Sequence, residues 1–373
     1  MNLSHRLADG SSVGFVNLRF LQLKYLNLII PFFILVLSVY SAGPLFGEVW
    51  ETGGLSIVFV PLLGPLLMEV FEKPNLILSS LVLIGYALGP VFFYLLVYAI
   101  TKRNLTALLT SLLMLLPLIP IATLSPARLV HAIIENDGGH IAGLGLSAAA
   151  LVLFFHFIRT ADKKSLIFFL LIAMITGLIS FFSILILFIF MTFVTVSEIL
   201  IGQGKLKLKR FISAVFLLGV GLVVVYNISF LRFIFSEQGG ASFTVLSNLI
   251  PMTFFLVPVL GIITFLIFDR RPVLQPLFLV CAFLITFGLL HFIGVVILES
   301  ALFNQQRYTA EAEFAVNFFT AFVLTGIFDL LRVGVFVKRF ALVYRLRNEI
   351  AFGSMITIIL FLIGAILFIP HAV

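Results

Sequence analysis

The chain has 373 residues, 62% of them hydrophobic, 14% aromatic and only 10% charged, with a formal net charge of +7. A soluble domain carries roughly 25% charged residues, so the composition excludes a water-soluble globular protein and implies a chain whose solvent is lipid. The positive balance reads as orientation in a membrane and not as nucleic-acid binding. The single cysteine, Cys281, excludes disulfides and multi-cysteine metal sites within the chain.

In chain order, residues 1–24 show no short apolar run followed by a small-residue cleavage site, so no cleaved signal peptide is expected. Apolar runs then predict eleven spans, at 25–43, 76–100, 105–125, 141–158, 165–181, 184–203, 211–233, 245–268, 274–297, 314–336 and 350–370. The run 165–203 is too long for one helix, and Ser180 and Ser183 close to Gly177 predict a tight hairpin within it. No polar segment is long enough to form a soluble core. The expected fold is therefore all-α, a polytopic integral membrane helical bundle forming a single transmembrane domain over 1–373.

The charges orient this bundle. With the N-terminus cytoplasmic and the C-terminus outside, every Lys and Arg except Lys73, Arg128, Arg232 and Arg307 falls in an inner segment, as the positive-inside rule requires. The inner run Lys205-Leu-Lys207-Leu-Lys209-Arg210 reads as a topology anchor that attracts anionic lipid. The acids run the other way, and ten of the 16 fall outside. Topology does not demand that excess, because acids contribute little to orientation. The expected setting is a bacterial or archaeal plasma membrane.

Three outer segments hold the chemistry-bearing residues. The first, 44–75, carries Glu48-Val-Trp-Glu51 and then an apolar stretch broken by Pro61, Gly64 and Pro65, which suits an interfacial or re-entrant element. If Glu48 and Glu51 are helical, their spacing puts both carboxylates on one side, where they suit a divalent cation or general-base work. A loop kept soluble by its acids is the plainer reading. The second segment, 126–140, ends in His131-Ala-Ile-Ile-Glu135-Asn-Asp137-Gly-Gly-His140. Imidazole and carboxylate so close together can bind a metal, and Asp137 with His140 are the candidate ligands. No spacing matches a zinc signature, and a polar turn before a helix explains the cluster as well. The third, 298–313, contains Arg307-Tyr308 among Glu299, Glu311 and Glu313. A guanidinium suits bidentate phosphate binding, while an ion pair with Glu311 at i+4 is the local alternative. Within the spans, Glu198 and His291 are ionisable candidates, and Asp329 is expected to pair with Arg332.

These features together resemble the GT-C class of membrane glycosyltransferases. Three features carry the resemblance: the acid-bearing first outer loop, Glu48 to Glu72; the series from Gly89-Pro-Val-Phe-Phe-Tyr-Leu-Leu-Val-Tyr-Ala-Ile-Thr-Lys-Arg103 through His156-Phe-Ile-Arg159 to the hairpin at 165–203; and Gln306-Arg307-Tyr308 with its downstream acids. They cover about half the chain, and none is specific alone. The chain departs from the class in having glutamates and no aspartate in its first outer loop, and no histidine at the turn 181–183.

The resemblance implies sugar transfer from a polyprenyl-phosphate-linked donor on the outer face. Glu48 or Glu51 would deprotonate or orient the acceptor, and Arg307 with Tyr308 would bind the departing phosphate. A divalent cation, Mg or Mn, would sit near Asp137 and His140. Membrane lipids and other membrane proteins are the remaining partners to expect. The competing readings are a non-catalytic membrane subunit of a larger complex, and a transporter or lipid flippase.

Overall fold

A computed structural model describes residues 26–43, 74–116, 138–201, 204–225, 275–296, 308–333 and 347–368. Among these residues the regular structure is entirely α-helical. The helices are α1 (Leu26–Ser41), α2 (Pro74–Thr101), α3 (Asn104–Leu113), α4 (Gly138–Thr160), α5 (Lys163–Ile179), α6 (Phe181–Ile201), α7 (Gly204–Val225), α8 (Gln275–Val296), α9 (Thr309–Val333) and α10 (Arg347–Phe368). Each coincides with one of the expected apolar runs. The run at 245–268 and nearly all of 44–75 lie outside the described residues.

Among the described residues, five stretches are long and apolar enough to cross a membrane: Leu83–Thr101, Gly138–Thr160, Ser183–Leu200, Thr309–Leu330 and Asn348–Leu367. Many large apolar side chains face outward along the helices, among them Phe32, Phe216 and Phe361. That is the surface of an integral membrane protein, because lipid tails solvate such groups as well as a core does.

Short turns make successive helices antiparallel, and two of them use the same device. Lys102 and Ala161 end α2 and α4 in the left-handed region, at φ 57° and 59°. Their N–H groups donate back to the carbonyls of Tyr98 and Phe157, both at 2.8 Å. The preceding threonines reinforce each turn. Thr101 and Thr160 donate to the carbonyls of Val97 and His156 and accept the N–H groups of Arg103 and Asp162. Asp162 then caps α5 by accepting the N–H groups of Lys164 and Ser165, which satisfies donors that a helix start leaves open.

These turns gather the basic residues at one end of the bundle. Arg159 and Lys207 both reach Glu198 there, Arg210 donates to the carbonyls of Ile158 and Arg159, and Arg103 pairs with Asp329. Asp329 thus has a tertiary partner, because α9 ends against the α2–α3 turn; the side chain of Arg332, its expected local partner, lies outside the described residues. Lys102, in that turn, is held below the ordinary lysine value by partial burial and then by the like charge of Arg159.

α4 is the hub. It packs on α2, α5 and α6, and its interface with α2 is made of small residues. A Cβ on Gly145 would lie 3.0 Å from the Gly89 Cα and 3.2 Å from the Gly85 carbonyl oxygen. Close backbone approach of this kind provides van der Waals contact where lipid removes the hydrophobic drive. In the same hydrophobic core as α4, Phe93, Phe190, Phe283, Phe287, Phe314 and Phe318 join α2, α6, α8 and α9 through tilted and edge-on ring contacts.

Several helices begin earlier than their apolar runs suggest, and three of these starts carry buried polar residues. α4 starts at Gly138, α7 at Gly204 and α9 at Thr309. The polar residues His140, Lys207, Glu311 and Glu313 are therefore helical, and all four are buried. Apolar runs mark where lipid begins, whereas helices continue as long as packing partners cover them.

Candidate functional site

The end of the bundle opposite the basic cluster is assembled from the starts of α4 and α9 and the α5–α6 hairpin. Gly138 and Gly139 open α4, and the hairpin fits tightly against it. A Cβ on Gly139 would lie 3.3 Å from the Ile179 carbonyl oxygen, and one on Gly143 would overlap the Ser183 side chain. Glycine at these two positions lets the hairpin come close enough to touch His140. The Ser183 hydroxyl donates to the His140 carbonyl at 3.2 Å and lies 3.4 Å from its Nδ1.

From the other side comes α9. Tyr308 is buried just before it, and the Ala312 N–H donates to the Tyr308 carbonyl at 2.9 Å. One further turn puts Glu311 against His140, with Nε2 2.7 Å from Oε1. Both side chains are closed to solvent, at 1% and 0% exposure. The approach has the distance of an ion pair without the alignment of a hydrogen bond. Glu313 and Asn317, one turn apart on a different face of α9, are buried as well.

Two of the three outer segments singled out from sequence are thus joined through His140 and Glu311. His140 and Tyr308 fall at the same end of the bundle. Glu48, Glu51, Asp137 and Arg307 lie outside the described residues, and so do His131, Glu135 and Glu299. The local reading of Glu311 as an i+4 partner of Arg307 has a described competitor, since its carboxylate faces His140. Asn317 was not legible as a site residue, although a lone amide in an apolar run is the signal that could have marked it. Ser183 was legible only as part of a turn.

Asp137, the expected co-ligand of His140 for a divalent cation, lies outside the described residues. Nε2 is taken up by Glu311 and Nδ1 faces Ser183, and among the described residues no three His, Cys, Asp or Glu side chains gather closely enough to share a metal. The centre is also acid-rich. Buried carboxylates disfavour an anion beside them, so a substrate phosphate would need a cation from elsewhere, and Arg307 immediately precedes Tyr308 in the chain. What the described side chains can do is hold a proton between imidazole and carboxylate, and fix the start of α9 to the start of α4.

Glu198 proves to be of another kind. It accepts from Arg159 Nε at 2.8 Å, from Lys207 Nζ at 2.8 Å and from Gln275 Nε2 at 2.6 Å. Gln275 also donates to Ser197 at 3.0 Å. Four helices meet there and every partner is spoken for, which marks a structural clasp.

No family model, curated protein or solved structure matches the chain.

Proposed function

We propose that the chain is a membrane glycosyltransferase that moves a sugar from a polyprenyl-phosphate-linked donor, with its basic end cytoplasmic and the His140 end on the outer face. The observation that carries this reading is the buried approach of His140 to Glu311, which ties the segment ending at His140 to the one containing Arg307 and Tyr308. A transferase of this kind needs an acceptor-binding acid and a phosphate-binding cation at one membrane face. The pair couples two of the three segments that supply such groups.

In this reading the transferred sugar leaves its phosphate with the phosphate oxygen keeping the bonding electrons. The acceptor hydroxyl or amine forms the new bond and gives its proton to Glu48 or Glu51. Arg307 balances the charge on the departing phosphate, the step most sensitive to loss of a single donor. His140 and Glu311 are positioning residues, since neither reaches solvent. They set where Arg307 and Tyr308 stand relative to the 126–140 segment. A divalent cation, Mg or Mn, held near Asp137 and His140 would add positive charge beside the departing phosphate.

The test is sugar transfer from a polyprenyl-phosphate donor by the purified chain in liposomes. Arg307→Ala is expected to lower kcat by about 10²–10³. Glu311→Gln should raise KM for the donor more than it lowers kcat. Full turnover in Glu48→Gln, Glu51→Gln and Arg307→Ala together would remove this reading. A second reading, a transporter or lipid flippase, draws on Glu311 and Glu313 lying buried in a helix able to span the membrane. Counterflow of labelled substrate without chemical transfer would favour it.

A further inference from the structure

We infer that Ser183 is a positioning residue of the His140 site, holding the imidazole by its Nδ1 edge so that Nε2 is the nitrogen turned to Glu311. Ser183 stands in the first turn of α6, and its backbone is clamped from two sides. Ser180, extended between α5 and α6, accepts the Ser183 N–H on its hydroxyl at 3.4 Å. Ser147 on α4 donates its hydroxyl to the Ser183 carbonyl at 3.1 Å. His140, Gly143 and Ser147 follow the i, i+3, i+7 spacing of one helix face, and all three meet this one residue. Gly143 supplies the room, since a Cβ there would overlap the Ser183 hydroxyl.

Ser147 and Ser180 already hold the backbone of Ser183, which leaves its hydroxyl to His140. Both contacts of that hydroxyl among the described residues are with this histidine. A hydroxyl has one proton and two lone pairs. The proton goes to the His140 carbonyl at 3.2 Å, so a lone pair faces Nδ1 at 3.4 Å. That arrangement suits a ring carrying its proton on Nδ1 and opposes the other tautomer, in which two lone pairs would face each other. Ser183 and His140 are closed to solvent, so water does not take over the serine's part. With Nδ1 so held, Nε2 lies 2.7 Å from Glu311 Oε1. One line of contacts thus runs from the start of α6 through the imidazole to the start of α9.

Nuclear magnetic resonance of the full chain in detergent, grown with nitrogen-labelled histidine, tests this. The His140 ring signals are identified by their loss in His140→Gln. In the native chain Nδ1 should carry a proton. Ser183→Ala should raise the share of the other tautomer at least about fivefold. Ser147→Ala, which loosens the hairpin without touching the ring, should lower the melting temperature and leave the His140 ring signals in place. A native ring with Nδ1 bare would overturn the inference, as would a Ser183→Ala ring spectrum identical to the native one. Should Ser183→Ala not fold, the native spectrum decides.

A kinetic consequence rests on the transferase reading. Ser183→Ala should raise KM for the donor about fivefold with less effect on kcat. It should add nothing to Glu311→Gln, because both act through the same ring. A full added effect in the double variant would mean that Ser183 acts by a route other than His140, against the inference. Absence of transfer by the native chain would instead remove the transferase reading, and the ring spectrum would still decide the part played by Ser183.

Discussion

The two buried polar centres, one at each end of the bundle, are built on opposite principles. Around Glu198 a single carboxylate meets two cations and an amide, each within hydrogen-bond reach, and the four groups come from four different helices. Around His140 an imidazole meets one carboxylate out of hydrogen-bond alignment, a serine at the edge of reach, and a neighbouring helix start that buries a second glutamate and an amide. In a low-dielectric interior a satisfied network rigidifies. The first centre has the economy of a structural joint. The second joins two helix starts far apart in sequence through an imidazole and a carboxylate.

Removing the central carboxylates should separate the two most sharply. Glu198→Ala leaves the Lys207 ammonium buried without its counter-charge and is expected to destabilise the fold by about 3–5 kcal/mol. Glu311→Gln keeps the shape and disturbs one partner, so it should cost about 1–2 kcal/mol. Thermal unfolding in detergent measures both, and equal losses would erase the distinction.

Packing gives the next contrast. Gly143→Ala drives a methyl into the Ser183 side chain and should cost about 1–3 kcal/mol. Gly219→Ala, on α7 with open space around it, should instead gain up to about 1 kcal/mol from helix propensity. If the two variants unfold at the same temperature, the close approach is not what seats the hairpin against His140.

The smallest effect is a pH dependence at the basic end. Asp162 has its folded pKa lowered below the ordinary 3.8 by the Ser165 hydroxyl and by backbone N–H groups. A depressed carboxylate contributes stability above its unfolded value and loses it as pH falls through the folded one. Asp162→Ala should therefore lower the melting temperature at pH 7, and the gap to the native chain should narrow below about pH 4. A gap that stays constant down to pH 3 would show that the cap acts without its charge.

Much of this was legible before any coordinates. The helices follow from apolar runs, and the Ser180–Ser183 hairpin from small polar residues in a run too long for one helix. The segregation of cations follows from where those runs end. Helix starts were less legible, because His140, Glu311 and Glu313 are polar and a hydropathy argument hands them to loops. Their burial depends on neighbours far away in sequence. Asp329 shows the same limit. Local spacing favours Arg332, and only the antiparallel packing of α9 against the α2–α3 turn brings Arg103 to it.

The sequence by itself therefore determined that this chain lives in a membrane as a helical bundle with its basic turns at one end. Lipid imposes those terms locally, on each run of about twenty residues. Only the tertiary structure decided which acid meets which base. A carboxylate finds its partner through helix packing, and packing joins residues as distant as His140 and Glu311, whose sequence neighbours say nothing of each other.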